Sequence, residues 1–469
     1  MSRREKRYMS KNKKFEIIMI LSAFILLFYN LAARVNSYST TLLAFTYKYG
    51  FIPRGLLGTI YQGLNDLLPI NMNVYAAVNI FTLIMTCLYT GFMVWVLKKL
   101  LSKIGDTTVS WMQKASATQM MSCDSRRTQD DFSDLAGPWK SIYSLIMFAL
   151  ICAIPTFAGY YNFGRVDMYM LIMSLCAMML IVYDKAIWLV VPLVALGEMF
   201  HEAYVFMYFS MILALLVYRI LDEIGKLDDL DAGVINYLKA AFAHKSVRRY
   251  LWVTVLSVAV VSGLFLYFRF GYEYGDREVA DKIYDTAYGM TYDNFVHKDV
   301  IRAEILGVDL TEEEIEYHVE NFIEFPFFIL LMSPFIGILV GLYRHVFKQI
   351  RGNRLQGLLR FKYLVMIVGV LTLIPLLAMK VDYGRWCFAA VMYYVMTLLA
   401  MMAMGDEVVF DGWRSTIVKL REKWLLGPVL LAYAMMLTPF TDLSIGKFCY
   451  QIYDFPNKIL RMMEIIPFN

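Results

Sequence analysis

Gly197-Glu198-Met199-Phe200-His201-Glu202 puts two carboxylates and an imidazole within six residues. Read as one continuous helix, Glu198, His201 and Glu202 fall at i, i+3 and i+4 and share a face. The runs Ala186 to Leu196 and Tyr204 to Val217 on either side hold no charge. Ionisable groups set between apolar helices are costly unless paired or wetted, so the default expectation is a functional site. Any of the three could serve as a general base, because burial and neighbours can bring a carboxylate or an imidazole near neutral pH. The plainer alternative is a hydrated polar corner between two helices.

Three arginines stand in comparable settings. Arg54 lies in Tyr49-Gly50-Phe51-Ile52-Pro53-Arg54-Gly55, where Gly and Pro break any long helix and let the backbone turn. Arg165 follows Phe163-Gly164 and precedes Asp167, while Arg385 follows Tyr383-Gly384 and has Asp382 and Lys380 close by. An arginine offers a planar donor fork suited to phosphate or carboxylate. The plainer reading is a local ion pair in each turn, Arg165 with Asp167 and Arg385 with Asp382, which would be worth little if exposed.

The elements that must position these groups are membrane helices. Of 469 residues 59% are hydrophobic, and the mean hydropathy of +0.52 is that of a polytopic membrane protein. The expected fold class is all-α, one transmembrane domain over 1–469 with about eleven spans, since helices satisfy their own backbone in lipid. The basic residues from Arg3 to Lys14 place the N-terminus in the cytoplasm, and no small-residue cleavage site closes the first apolar run, Ile17 to Leu31. Alternating spans from there sends Lys98-Lys99, the Lys245 to Arg249 cluster, the Arg344 to Lys362 loop and Lys419 to Lys423 inward, and the C-terminus outward. Arg54, Arg165, His201 and Arg385 then all lie outside, against the general charge bias. The polar segment 102–140 reads as a mobile cytoplasmic loop. Val35 to Pro69 reads as interfacial helices on the outer face. Residues 270–325 form the largest outer loop, with Thr311 as the cap of a short acidic helix acting as a lid.

Much chemistry is absent. The six cysteines show no CxxC spacing, and His201-Glu202 lacks the second histidine of a helical zinc site. No Gly-rich nucleotide loop occurs, and the charge of +5 sits in loops facing a membrane surface, which is no nucleic-acid signal. Neither a metal nor a cofactor is expected. The expected partners are membrane lipids and a lipid-linked glycan, because outer arginines can hold a carrier diphosphate while a carboxylate or imidazole deprotonates an acceptor hydroxyl.

With its helix number, outer arginines and long outer loop, the chain resembles the Wzy-type O-antigen and capsule polymerases. That resemblance is one of architecture across the chain, and it implies an extracytoplasmic polymerase whose carrier diphosphate is held by Arg54, Arg165 or Arg385. The chain is also similar to the C-superfamily lipid-sugar glycosyltransferases in having interfacial helices in its first outer loop. Their catalytic carboxylate falls early in that loop, however, and here no Asp or Glu occurs from Leu31 through Asn65. Two other classes stay open: a transporter or flippase for a lipid-linked or anionic solute, which would show broken helices with paired polar groups at depth, and an assembly subunit without a site.

Overall fold

A computed structural model describes residues 35, 37–67, 74–119, 164–225, 242–291, 295–308, 362–364, 369–379 and 383–410, with scattered positions at 239, 326–348 and 412. All regular structure among the described residues is helical. The first apolar run, the Thr311 segment, Lys380 and Asp382 lie outside them.

Among the described residues, two helices are long and apolar enough to cross a membrane: the Val74–Gly105 part of α3 (Val74–Gln119), and Lys245–Gly271, made of α8 (Lys245–Leu266) and a π-helical extension. The α3 helix carries Thr82, Thr86 and Thr90 one turn apart, and each of the last two hydroxyls bonds the carbonyl four residues back. That pattern lets buried hydroxyls face a packed interior without an outside partner. With 46 residues α3 is about 70 Å long, more than twice a hydrocarbon core. Its polar end runs to Gln119, so the expected mobile loop over 102–140 is helical at least that far. The α8 helix turns Trp252, Val255, Leu256 and Leu266 outward, an apolar face suited to lipid.

Among the described residues, the elements between the two long helices are shorter than the expected spans. Between the two long helices the chain forms α4 (Asp167–Tyr183), α5 (Val190–Phe200), α6 (Tyr204–Met207) and α7 (Phe209–Gly225). At 1.5 Å per residue α5 covers only about 16 Å. The turn from α4 to α5 uses left-handed backbone at Asp184 and Ala186. Asp184 is secured by Arg249 and by the Tyr250 hydroxyl at 2.6 Å. Arg219 and Lys103 donate to the last carbonyls of α4, at Ile181 and Val182, placing cations at a helix C-terminus. The core of this bundle is rich in methionine, including Met168, Met170, Met178 and Met211, whose unbranched side chains fill irregular gaps between short helices.

Ahead of α3, the segment read as interfacial forms α1 (Ser37–Leu43) and α2 (Gly55–Leu67). Gly58 is the contact point: a β-carbon there would stand 2.0 Å from the Phe45 carbonyl oxygen, so only glycine lets α2 lie on the chain after α1. The outer loop supplies α9 (Arg277–Met290), capped by Asp276, whose side chain accepts from the Val279 amide at 2.9 Å. Its Ala280, Ile283, Ala287 and Met290 are buried on one stripe. After it come the short α10 (Lys298–Ile301) and a π turn, Arg302–Leu306.

Late in the chain come α11 (Ile374–Met379) and α12 (Tyr383–Ala403), and α12 packs against α3, α7 and α4. The C-terminal end of α12 leads to Asp406, which accepts from Tyr218, Tyr363 and the Val409 amide at 2.9 to 3.0 Å and pairs with Lys362 at 3.1 Å. This fully satisfied buried carboxylate ties α7 to the end of α12, about 27 Å along the helix from Arg385.

Candidate functional site

The α5 helix stops at Phe200. His201 is extended (φ −167°, ψ 134°), and the chain re-enters helix only at Tyr204. The expected shared face of Glu198, His201 and Glu202 is therefore corrected: Glu198 belongs to α5, while His201 and Glu202 occupy the break. No Gly or Pro causes it. The polar groups there take partners that a continuous helix would not let them reach.

Glu202 meets Arg54 through both prongs of the guanidinium, Nε to Oε2 at 3.1 Å and Nη2 to Oε1 at 2.5 Å. Both side chains are buried. Glu304, from the π turn of the outer loop, joins the same guanidinium at 2.9 Å, and Arg54 Nη1 reaches the Tyr38 hydroxyl at 3.4 Å. Arg54 adopts left-handed backbone (φ 58°), a strained state for a residue other than glycine. Its turn, as the Gly/Pro context implies, aims the side chain inward. Burial works against the Glu202 carboxylate, but the adjoining Arg54, helped by His201, holds it well below the usual carboxylate range.

His201 Nδ1 lies 3.1 Å from Glu202 Oε2 and 3.1 Å from the Ala203 amide nitrogen. One ring nitrogen cannot donate to the first and accept from the second at once. An anionic Glu202 favours the proton on Nδ1, which leaves Nε2 as the basic position, the pattern of a base oriented by a carboxylate. Burial, with the Arg54 and Arg385 guanidiniums, outweighs Glu202 and lowers His201 below its ordinary value, so the ring is neutral at pH 7. Glu198 is the most buried of the three, and the Val205 backbone is the polar group beside its carboxyl. Gly197 makes room beside it for the Tyr204 ring, which would overlap any β-carbon at that position.

Arg385, at the start of α12, pairs with Asp167, at the start of α4, in a second two-pronged contact: Nε to Oδ2 and Nη2 to Oδ1, both at 2.6 Å. Asp167 thus serves an arginine 218 residues away, beyond the local pairing expected with Arg165. Arg165 stands over the Tyr38 ring at 5.0 Å. Tyr38 touches both Arg54 and Arg165, Asp167 follows Arg165 by two residues, and Arg54 and Arg385 both act on His201. The expected arginines and the Glu198 to Glu202 stretch are therefore one neighbourhood. Lys380 and Asp382, expected to support it, fall outside the described residues. No group of three or more His, Cys, Asp or Glu arranged for a metal occurs among the described residues.

Sequence reasoning missed Tyr38, Glu304 and His297. The last stacks edge-on against Tyr38 at 5.5 Å, and its Nε2 lies 3.1 Å from Ser37 Oγ. Glu304 and His297 sit in the outer loop without a pattern of their own, and only tertiary packing brings them here. In comparisons with known proteins, no family model, no curated protein and no solved structure matches this chain.

Proposed function

We propose that this chain is a multi-pass membrane glycosyltransferase of the polysaccharide-polymerase kind, acting on polyprenyl-diphosphate-linked sugars at the extracytoplasmic face. The observation that carries the reading is the gathering of Arg54, Arg165 and Arg385, from three distant segments, around Tyr38, Asp167 and His201. Two of them are held by carboxylates in fork geometry, which is also the geometry that recognises phosphate oxygens. A diphosphate entering here exchanges carboxylate partners for phosphate ones, and the guanidiniums stabilise the charge that grows on the leaving carrier diphosphate. His201 Nε2 takes the proton of the acceptor hydroxyl and Glu202 steadies the imidazolium that forms, while Glu198, pushed up to about 10 by burial and by Glu202, stays protonated and neutral beside them. Asp167 holds Arg385 in place until the diphosphate arrives. The two long apolar helices and the outward apolar face of α8 support a membrane location.

The test is an Arg-to-Lys exchange at Arg54 and Arg385, followed as glycan chain length in cells. A point charge cannot reproduce a fork, so both variants should shorten chains severely while the protein is still made. Full-length chains from both would reduce these residues to structural pairs.

One observation favours a second reading. The break after Phe200 is a discontinuous helix with buried polar groups, which is how transporters build substrate sites. In that case Glu198 to Glu202 and the arginines bind an anionic solute or lipid that is carried across unchanged. A covalent product separates the two.

A further inference from the structure

We propose that Ser37, His297 and Asp299 form a second reactive centre, an activated serine that accepts an acyl group from a carboxylic ester. Ser37 Oγ lies 3.1 Å from His297 Nε2. On the other side of the ring, Nδ1 stands 3.7 Å from Asp299 Oδ1, an ion-pair distance that can tighten when a ligand is bound. Nucleophile, base and orienting acid thus come in the order that activates a hydroxyl, from residues 260 positions apart.

The surroundings hold this arrangement. The His297 amide donates to Thr41 Oγ1 at 3.3 Å, tying the outer loop to α1. The imidazole is flanked edge-on by Tyr38 at 5.5 Å and Phe295 at 5.1 Å, which fix the ring plane. Unlike the buried His201, His297 keeps 29% of its side chain exposed, so a substrate can approach. Arg54 and Arg165 both rest on Tyr38, the residue next to the nucleophile. Thr40 and Thr41 spend their hydroxyl protons on the Ser37 carbonyl at 2.9 and 2.7 Å, so the Ser37 hydroxyl faces His297 without competition from them.

The step balances as ordinary acyl transfer. Ser37 Oγ bonds to the ester carbonyl carbon while its proton passes to His297 Nε2. The carbonyl-to-alkoxy bond then breaks, and the leaving alcohol takes that proton, giving an acyl-serine. Water or an acceptor hydroxyl attacks this ester, again giving its proton to Nε2, and Ser37 is restored as the acylated acceptor or free acid leaves. Nothing in the sequence needs an oxidant, a reductant or a metal.

The probe is a fluorophosphonate applied to the purified full-length protein, with the modified peptide read by mass spectrometry. Stoichiometric label on Ser37 is expected, with a rate reduced at least about 100-fold in His297→Gln, the usual effect of removing a positioned base. Asp299→Asn should slow labelling less than His297→Gln. No label on Ser37, or an unchanged rate in His297→Gln, would overturn the proposal. To guard against misfolded variants, Ser37→Cys with and without His297→Gln is alkylated with iodoacetamide across pH. A His297-dependent rise in thiol reactivity near neutral pH supports the centre, and identical profiles contradict it. Neither readout involves a glycan, so failure here leaves the polymerase reading intact and the reverse also holds.

Discussion

At the residue scale the site is a set of charges that neutralise one another from distant parts of the chain. Breaking a buried pair by truncating one partner costs about 3–5 kcal/mol because the other charge is left alone. Loss of function in Arg385→Ala would therefore not by itself separate a catalytic from a structural role. A swap does: in Arg385→Asp with Asp167→Arg the pair is retained in reverse, so thermal stability should recover most of what each single variant loses, whereas activity should not return. Recovery of both would make the pair purely structural.

His201 gives the second residue-scale test. Its folded value lies below the ordinary 6.5, so as pH falls from about 6.5 the unfolded chain binds a proton that the folded one still refuses. Stability should decline over that interval, by at most about 1.4 kcal/mol per pH unit for one group. His201→Gln should flatten the profile measured by thermal unfolding between pH 7 and pH 5, and a profile identical to the parent would contradict a buried neutral imidazole. The acid limb of activity should follow the same direction, because only the neutral ring can take a proton.

At the scale of elements, glycine positions decide how closely the outer helices approach. Gly58 faces a carbonyl oxygen that cannot yield, whereas Gly63, further along α2, has open space around it. Gly58→Ala should cost at least about 3 kcal/mol, the upper end of ordinary overpacking, and displace Arg54 with the start of α2. Gly63→Ala should gain up to about 1 kcal/mol from helix propensity alone. Equal melting temperatures for the two variants would refute the packing of α2 on α1.

How far the sequence could be read follows the same physical divide. Helical character, the short helices between Val35 and Leu67, and the inward turn at Arg54 were legible because composition and Gly/Pro chemistry are local. The stripe of α9 was equally local, with Asp276 as a plain cap signal, yet the acidic Thr311 stretch drew the expectation instead. The break at His201 was not legible, since Phe-His-Glu-Ala contains nothing that forbids a helix and only Arg54, 148 residues earlier, gives Glu202 a reason to leave it. For the same reason Asp167 and Arg385 could each be flagged, but not their pairing with one another.

On the scale of the whole molecule, two polar centres lie at opposite ends of α12 with apolar packing between. The Arg54 to Arg385 neighbourhood has charges that a ligand can exchange, whereas Asp406 has every bond made and reads as a clamp on α7 and α12. Of these two ends of α12, the proposed glycan transfer belongs to the first. That transfer is tested most directly by giving the purified protein a matched polyprenyl-diphosphate oligosaccharide and analysing the lipid products. A lipid-linked product longer by one repeat, with free carrier diphosphate in equal amount, is predicted, and His201→Gln should lower its rate by about two to four orders of magnitude without preventing donor binding. Absence of any covalent product from matched donors, together with transfer of the intact lipid across sealed vesicles, would contradict it.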